Sequence, residues 1–558
     1  MRAAVLYLFA SFTAVLCTPV VRDLSSDPPT VTLDSATVTG TTEGSLQKFL
    51  GIPFAQPPVG DLRFRLPQPL PPYNGTINAT SYGAMCPQQA APFPIGLPDF
   101  LNFTDPLLRH IFQHNGTEKD DPPESEDCLT INVIKPANVS ADAKLPVIAW
   151  IFGGGFERGS AQGYDEQGTY AVNRSIELGQ PVIYVAMNYR VSAWGFLASQ
   201  EVLNAGEGNA GLVDQRMALE WIQKYINFFG GDSTKVTLWG QSAGAISASL
   251  QMLPYGGNNT GLFRGAFMQS GAPIPVGNIT GGQMYYDSLV SQTGCSGRDD
   301  TLACLRTVPL DNLKAAVNNT PNYFSYQACL RTHFPFYNLA DGVFLQDNPQ
   351  RLLQEGKFMT NVTIVTGNVD DEGTVFSLSS RNVTTDNEYE EYISTNFLPM
   401  ANSETLEPLW DAYPSNIRDG SPFDTSVLNA ITPQYKRISA FQGDAVFQAP
   451  RRWFLQHLSG NQKLWSYLSR RRKFTPVVGS YHGSDLEVHL LNDYLVWFAY
   501  NLDPNDPNNG SALNWPEYTV DSPVLYLFPR EGDPELANDT YRAEPMRLLT
   551  NLSLEYPL

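Results

Sequence analysis

The stretch KVTLWGQSAGAISASL, residues 235–250, decides the fold. Its first part is an apolar, partly β-branched run and its last part a string of small helix-forming residues, with only Gly240-Gln241-Ser242-Ala243-Gly244 between them. The order is strand, tight turn, helix. The serine adds chemistry. In such a corner it takes an unfavourable backbone conformation that lifts its hydroxyl above the sheet, and the flanking glycines remove side chains that neighbouring backbone would strike. The plainer reading of the same residues is a tight corner and nothing more.

Working outward, VIAWIFGG (147–154), PVIYVAMNY (181–189), LFRGAFMQSG (262–271), NVTIVTG (361–367) and KLWSYLS (463–469) read as buried strands. Several are apolar on both faces, as a helix-covered parallel sheet requires. Helical patterns lie between them. DQRMALEWIQKYINFF (214–229) sets Met217, Leu219, Trp221, Ile222, Tyr225 and Ile226 near one side, with Asp214 favourable at its start and Gly230-Gly231 as its stop. No Gly/Ser-rich or Pro-rich linker interrupts the 558 residues, of which 42% are hydrophobic, so one large α/β domain with long insertions is expected. Residues 380–450 read as mixed and helical.

A serine hydroxyl is a poor nucleophile until a base takes its proton, and the base needs a carboxylate to orient it. Of six histidines, His110 and His114 lie in a polar region, His333 in an aromatic loop, and His457 and His489 in helical patterns. His482, in the Gly-bounded loop VVGSYHGSDLEV, is the candidate base. For the acid, VTIVTGNVDDEGT supplies Asp370, Asp371 and Glu372 directly after a strand. Those three equally suit a solvated loop or half of a calcium site. In IFGGGFERGS, Gly153, Gly154 and Gly155 follow another strand, where free backbone N–H groups can converge on an oxyanion. The phosphate-loop pattern with its lysine is absent there.

The start, MRAAVLYLFASFTAVLCTPVV, has the layout of a secretory signal, read as residues 1–17, leaving 18–558 as the mature chain. Its apolar run is too short to span a bilayer, and no stable membrane anchor is expected. Removing Cys17 leaves Cys86, Cys128, Cys295, Cys304 and Cys329, which suits two bridges and a spare thiol in an oxidising compartment. Asn-x-Ser/Thr triplets recur, at Asn74, Asn78, Asn138, Asn278 and Asn361 among others, as in a glycosylated extracellular protein. The net charge of -20 argues against nucleic acid or an anionic membrane as partner. The densest basic run, Arg470-Arg471-Arg472-Lys473, reads as a solvated turn.

Together, FGGDSTKVTLWGQSAG (229–244), EDCLTINVIKP (126–136), WIFGGGFERGS (150–160), GNVDDEGT (367–374) and YHGSD (481–485) resemble the type-B carboxylesterase/lipase family, the branch of α/β-hydrolases that includes cholinesterases and fungal lipases. Matching stretches run in family order from about residue 28 onward. The resemblance implies an α/β-hydrolase fold, with a large, mostly parallel sheet covered by helices on both faces. It implies Ser242 as nucleophile, Glu372 as acid and His482 as base, and the N–H groups of Gly154, Gly155 and Ala243 as oxyanion hole. It pairs Cys86 with Cys128 and Cys295 with Cys304. No metal or organic cofactor is called for.

Two residues depart from the family's usual pattern. Gln241 stands where glutamate usually precedes the nucleophile, and Phe152 opens the oxyanion motif where many members have histidine, a feature shared by the fungal lipases. The activity implied is hydrolysis of a small-molecule or lipid ester. The apolar stretch APFPIGLPDFLNFTDPLLRHIF, inside the loop between Cys86 and Cys128, matches the place of the fungal lipases' lid; a packed pocket rim is the alternative. The same fold also serves non-catalytic adhesion or carrier proteins, a reading disfavoured by the presence of all three candidate residues.

Overall fold

The computed structural model describes residues 27–90, 122–257, 261–322, 339–487, 489–508 and 513–557. The proposed leader, the lid stretch, His110, His114, His333 and Cys329 lie outside them.

Strands β1 (Thr30–Leu33), β2 (Ser35–Thr39) and β5 (Asn74–Asn78) form a small sheet, β1-β2-β5. The main sheet is built from β3 (Thr41–Glu43), β4 (Leu46–Pro53), β6 (Thr130–Pro136), β7 (Leu145–Ile151), β8 (Ile183–Met187), β9 (Gly231–Gln241), β10 (Gly265–Gln269), β11 (Thr363–Val369), β12 (Leu464–Ser469), β13 (Val524–Phe528) and β14 (Glu535–Asn538). Its 11 strands run in the order β14-β13-β12-β11-β10-β9-β7-β8-β6-β4-β3. From β13 to β8 every neighbouring pair is parallel, and the antiparallel pairs lie toward the two edges. Every residue of β7, β8, β10, β11 and β12 is buried. Apolar side chains on both faces must therefore be covered, and helices do the covering.

The helices that bear on the site are α1 (Ala210–Tyr225), α2 (Ala243–Leu250), α3 (Tyr435–Gly443), α4 (Ala449–Leu458), α5 (Asn492–Asn501) and α6 (Ala543–Glu555). The expected strands all form, within a few residues of their predicted limits. The helix expected from 214 begins earlier, at Ala210, and a left-handed Gly230 ends the short 3₁₀ turn after it. Asp214 is thus not an N-terminal charge: it is fully buried and paired with Arg190 at 2.7 Å. A buried ion pair with two-pronged geometry outweighs the modest attraction of a helix terminus.

Both disulfides expected from the resemblance are formed, Cys86–Cys128 across 42 residues and Cys295–Cys304 across 9. No helix among the described residues is long and apolar enough to cross a membrane.

Candidate active site

Three strand ends deliver the candidate residues. β9 stops at Gln241 and α2 starts at Ala243, so Ser242 alone makes the turn. It has φ 58° and ψ -128°, a costly conformation for a residue with a Cβ. The surroundings impose it: the Ser242 N–H donates to Gln269 O at 2.9 Å, and its carbonyl accepts the Ile246 N–H at 2.9 Å. The flanking glycines are steric requirements. A Cβ on Gly244 would stand 1.9 Å from Ile151 O, and one on Gly240 2.4 Å from the Gly244 backbone.

β11 ends at Val369, and Glu372 follows in the next turn. β12 ends at Ser469, and the loop after it returns His482 to the same edge. Glu372 Oε2 lies 2.5 Å from His482 Nδ1. Its other oxygen accepts the Val369 N–H at 2.9 Å and an Asn368 amide hydrogen at 3.0 Å. A carboxylate so held keeps the proton of neutral His482 on Nδ1 and leaves Nε2 as an acceptor. The partner of Nε2 in the structure is the Gln241 side-chain nitrogen, at 3.2 Å, rather than the Ser242 hydroxyl. The imidazole therefore abuts the residue next to the serine. Phe376 and Phe447 flank it, with ring centroids 5.3 and 4.6 Å away. Phe447 comes from a π-helical turn, Asp444–Gln448, that joins α3 to α4.

The glycine turn lies against the serine. A Cβ on Gly153 would fall 2.9 Å from Ser242 Cβ, which leaves room only for backbone. Gly154 has φ 112° and Gly155 φ 65°. The N–H groups of Gly154, Gly155 and Ala243 donate to no other group among the described residues. Phe152, before the turn, is stacked on Tyr189 at 4.2 Å, and the Tyr189 hydroxyl donates to its carbonyl at 2.9 Å.

The remaining described histidines stay apart from this constellation. His457 contacts its own helix at Trp453 O, and His489 stacks on Tyr170. Asp370 and Asp371 are neither solvated nor a cation site: both pair with Lys473 Nζ, at 2.6 and 2.8 Å. The basic run does form a turn, with Arg472 exposed and Arg470 and Arg471 partly so, but its Lys473 departs from the expectation and is buried between those acids. Other contributors carry no sequence signal beyond their neighbours. Asp485, three residues past His482, accepts from the Tyr467 hydroxyl at 2.6 Å and from Gln269 at 3.1 Å, and Gln269 in turn accepts from Trp239 at 2.7 Å. Burial pushes the Asp485 carboxyl upward against those hydrogen bonds. The network ties β9, β10 and β12 together beneath the imidazole. Only the closing Asp of YHGSD hinted at it.

Residues 27–527 match the carboxylesterase family. The chain is similar to Lipase 4 of Diutina rugosa, 42% identical over 88% of this chain and 90% of that protein. It is 39% identical to a secreted triacylglycerol lipase of Gibberella zeae, over 92% of this chain and 89% of that one. Among solved structures, the crystal structure of Aspergillus niger EstA superposes with a TM-score of 0.79 at 27% identity, covering 95% of this chain and 99% of the other.

Proposed function

This chain belongs to the carboxylesterase family, and from that premise we propose that it is a secreted serine esterase that cleaves carboxylic esters, lipid esters among them, through an acyl-enzyme on Ser242. The observation that carries this reading is the 2.5 Å contact of Glu372 with His482, beside a serine held at φ 58°. In the reaction the Gln241 amide gives way at Nε2, and His482 takes the Ser242 proton as the hydroxyl oxygen attacks the ester carbonyl. Glu372 holds the imidazole and stabilises the imidazolium. The N–H groups of Gly154, Gly155 and Ala243 receive the negative oxygen, and the imidazolium then protonates the departing alkoxide. Water, activated by the same imidazole, repeats the attack and frees the acid and the serine.

Export follows from the leader read at residues 1–17, with 18–558 as a single catalytic domain. Two disulfides support it, as do triplet asparagines at exposed positions such as Asn74, Asn138, Asn278 and Asn361. Lipid esters are favoured because both quoted curated relatives are lipases by name.

The test is hydrolysis of p-nitrophenyl butyrate and labelling by a fluorophosphonate. Ser242→Ala should lower kcat by at least about 10⁴-fold and abolish labelling. A folded wild-type protein inert to both reagents would falsify the esterase reading. Rates on a triglyceride emulsion that rise above the solubility limit support a lipase, whereas smooth saturation with soluble esters alone restricts the enzyme to small substrates.

A further inference from the structure

Glu372 and His482 sit on different loops, 110 residues apart along the chain, and their contact is only as exact as the fit between those loops. The loops meet through the neighbours of the two residues. Asp371 pairs with Tyr481 in a parallel bridge, and the Asp371 N–H donates to Ser480 O at 3.1 Å. The Asp371 carboxylate accepts the Ser480 N–H at 2.8 Å, together with the Phe423 N–H at 2.9 Å and the Ser421 hydroxyl at 3.0 Å. Thr374, on the same side, donates to Val478 O at 2.8 Å. Across this junction lies Lys473, from the loop of His482. Its Nζ reaches Asp370 Oδ2 at 2.6 Å and both oxygens of Asp371 at 2.9 and 2.8 Å.

All three charged groups are buried. Arg470 adds a weaker contact to Asp370 at 3.4 Å, and Arg542, Lys436 and Tyr435 also interact electrostatically with this pair of acids. Taking an ammonium and two carboxylates out of water is expensive, and an apolar plug of equal volume would join the loops at lower cost. What the ionic cluster supplies is direction: a fork of hydrogen bonds fixes the register of residues 370–371 against 480–481, and so the separation of the next residue on each strand of the junction.

Resting on the esterase reading above, we propose that Lys473 is a positioning residue for ester hydrolysis, clasping the acid loop to the base loop through Asp370 and Asp371 and thereby setting the Glu372–His482 contact. It touches neither the substrate nor the imidazole, and acts through Asp371 and Ser480. An error of about 1 Å in such a contact costs about 10²-fold in rate.

The test compares Lys473→Met and Lys473→Arg with wild type, using p-nitrophenyl butyrate turnover counted per fluorophosphonate-titrated site and the first-order constant for labelling Ser242. Both quantities are blind to the fraction of unfolded protein, so loss of stability alone does not move them. Lys473→Met is expected to lower kcat and the labelling constant together by about 10²-fold, with KM changed less than about twofold, and Lys473→Arg to restore most of the loss. If Lys473→Met yields no folded protein, Asp371→Asn decides instead: it keeps the volume and removes one acceptor, with an expected loss of about tenfold in both constants. A folded Lys473→Met, or failing it Asp371→Asn, with wild-type constants per site overturns the clasp while leaving the esterase reading intact. Wild type inert to both reagents overturns the esterase reading itself.

Discussion

Three successive acids meet three different fates. Asp370 and Asp371 share a lysine, and burial, reinforced by the charge of Asp370, pushes Asp371 up to about 6 although Lys473 opposes it. Asp370 is held below its ordinary value because Lys473 and Arg470 outweigh its burial. Glu372 alone faces the imidazole. Glu372→Gln, which keeps the shape but cannot hold the productive tautomer, should lower kcat by about 10³- to 10⁴-fold with little change in KM, measured on p-nitrophenyl butyrate. Because Asp371 binds its proton more tightly folded than unfolded, its contribution to stability is complete below pH 4 or so and fades as pH rises through about 6. Urea unfolding of wild type and Asp371→Asn across that window should show a steeper fall of stability with pH in the wild type than in the variant. Ser242 and His482 stand in local patterns, an elbow and a glycine-bounded loop, whereas the three acids after β11 look alike in sequence and only the family resemblance singled out Glu372. Lys473 and Asp485 were not legible, since the first finds its partners more than 100 residues away and the second is defined by a hydroxyl and an amide from other strands.

At the scale of elements, legibility followed burial. Most strands read from sequence are the buried parallel ones at the middle of the sheet, whose apolar runs carry the signal; β6, buried throughout but interrupted by Asn132 and Lys135, was not read. Those left unread include β1, β3, β5 and β14, three to five residues long and mostly exposed, of which only β1 alternates buried and exposed positions. The π-helical turn at Asp444–Gln448 was equally hidden, because its extra residue per turn leaves no compositional mark. Gly244→Ala tests the elbow as a unit. With 1.9 Å between the new Cβ and Ile151 O, strand and helix must part, and soluble yield and thermal midpoint should both fall sharply. Asp539, just after β14, tests how that edge is held. It lies buried between Arg451 and Arg452 of α4, whose charges outweigh burial and bring it down to about 2. Its folded value lies below the unfolded one, so its contribution of roughly 2 kcal/mol is present above pH 4 and is lost as pH falls toward 2. The acid limb of a thermal-melting profile checks this. Asp539→Asn should cost about 3 to 5 kcal/mol at neutral pH, because two buried guanidinium groups lose their counter-charge.

For the whole molecule, the two disulfides differ in what they restrain. By chain entropy the bridge across 42 residues is worth about 4 kcal/mol and the bridge across 9 about 3 kcal/mol. The Cys86→Ala/Cys128→Ala variant should therefore unfold at lower urea than Cys295→Ala/Cys304→Ala. The order of the sheet has a consequence in time as well as space. β7 and β9, with the glycine turn and the nucleophile, come early in the chain, whereas the base follows β12. A growing polypeptide on the ribosome thus carries its reactive hydroxyl for more than two hundred codons before an imidazole arrives to activate it. On the proposed assignment, the cell that makes this enzyme is spared a working hydrolytic centre until those later strands are delivered and docked.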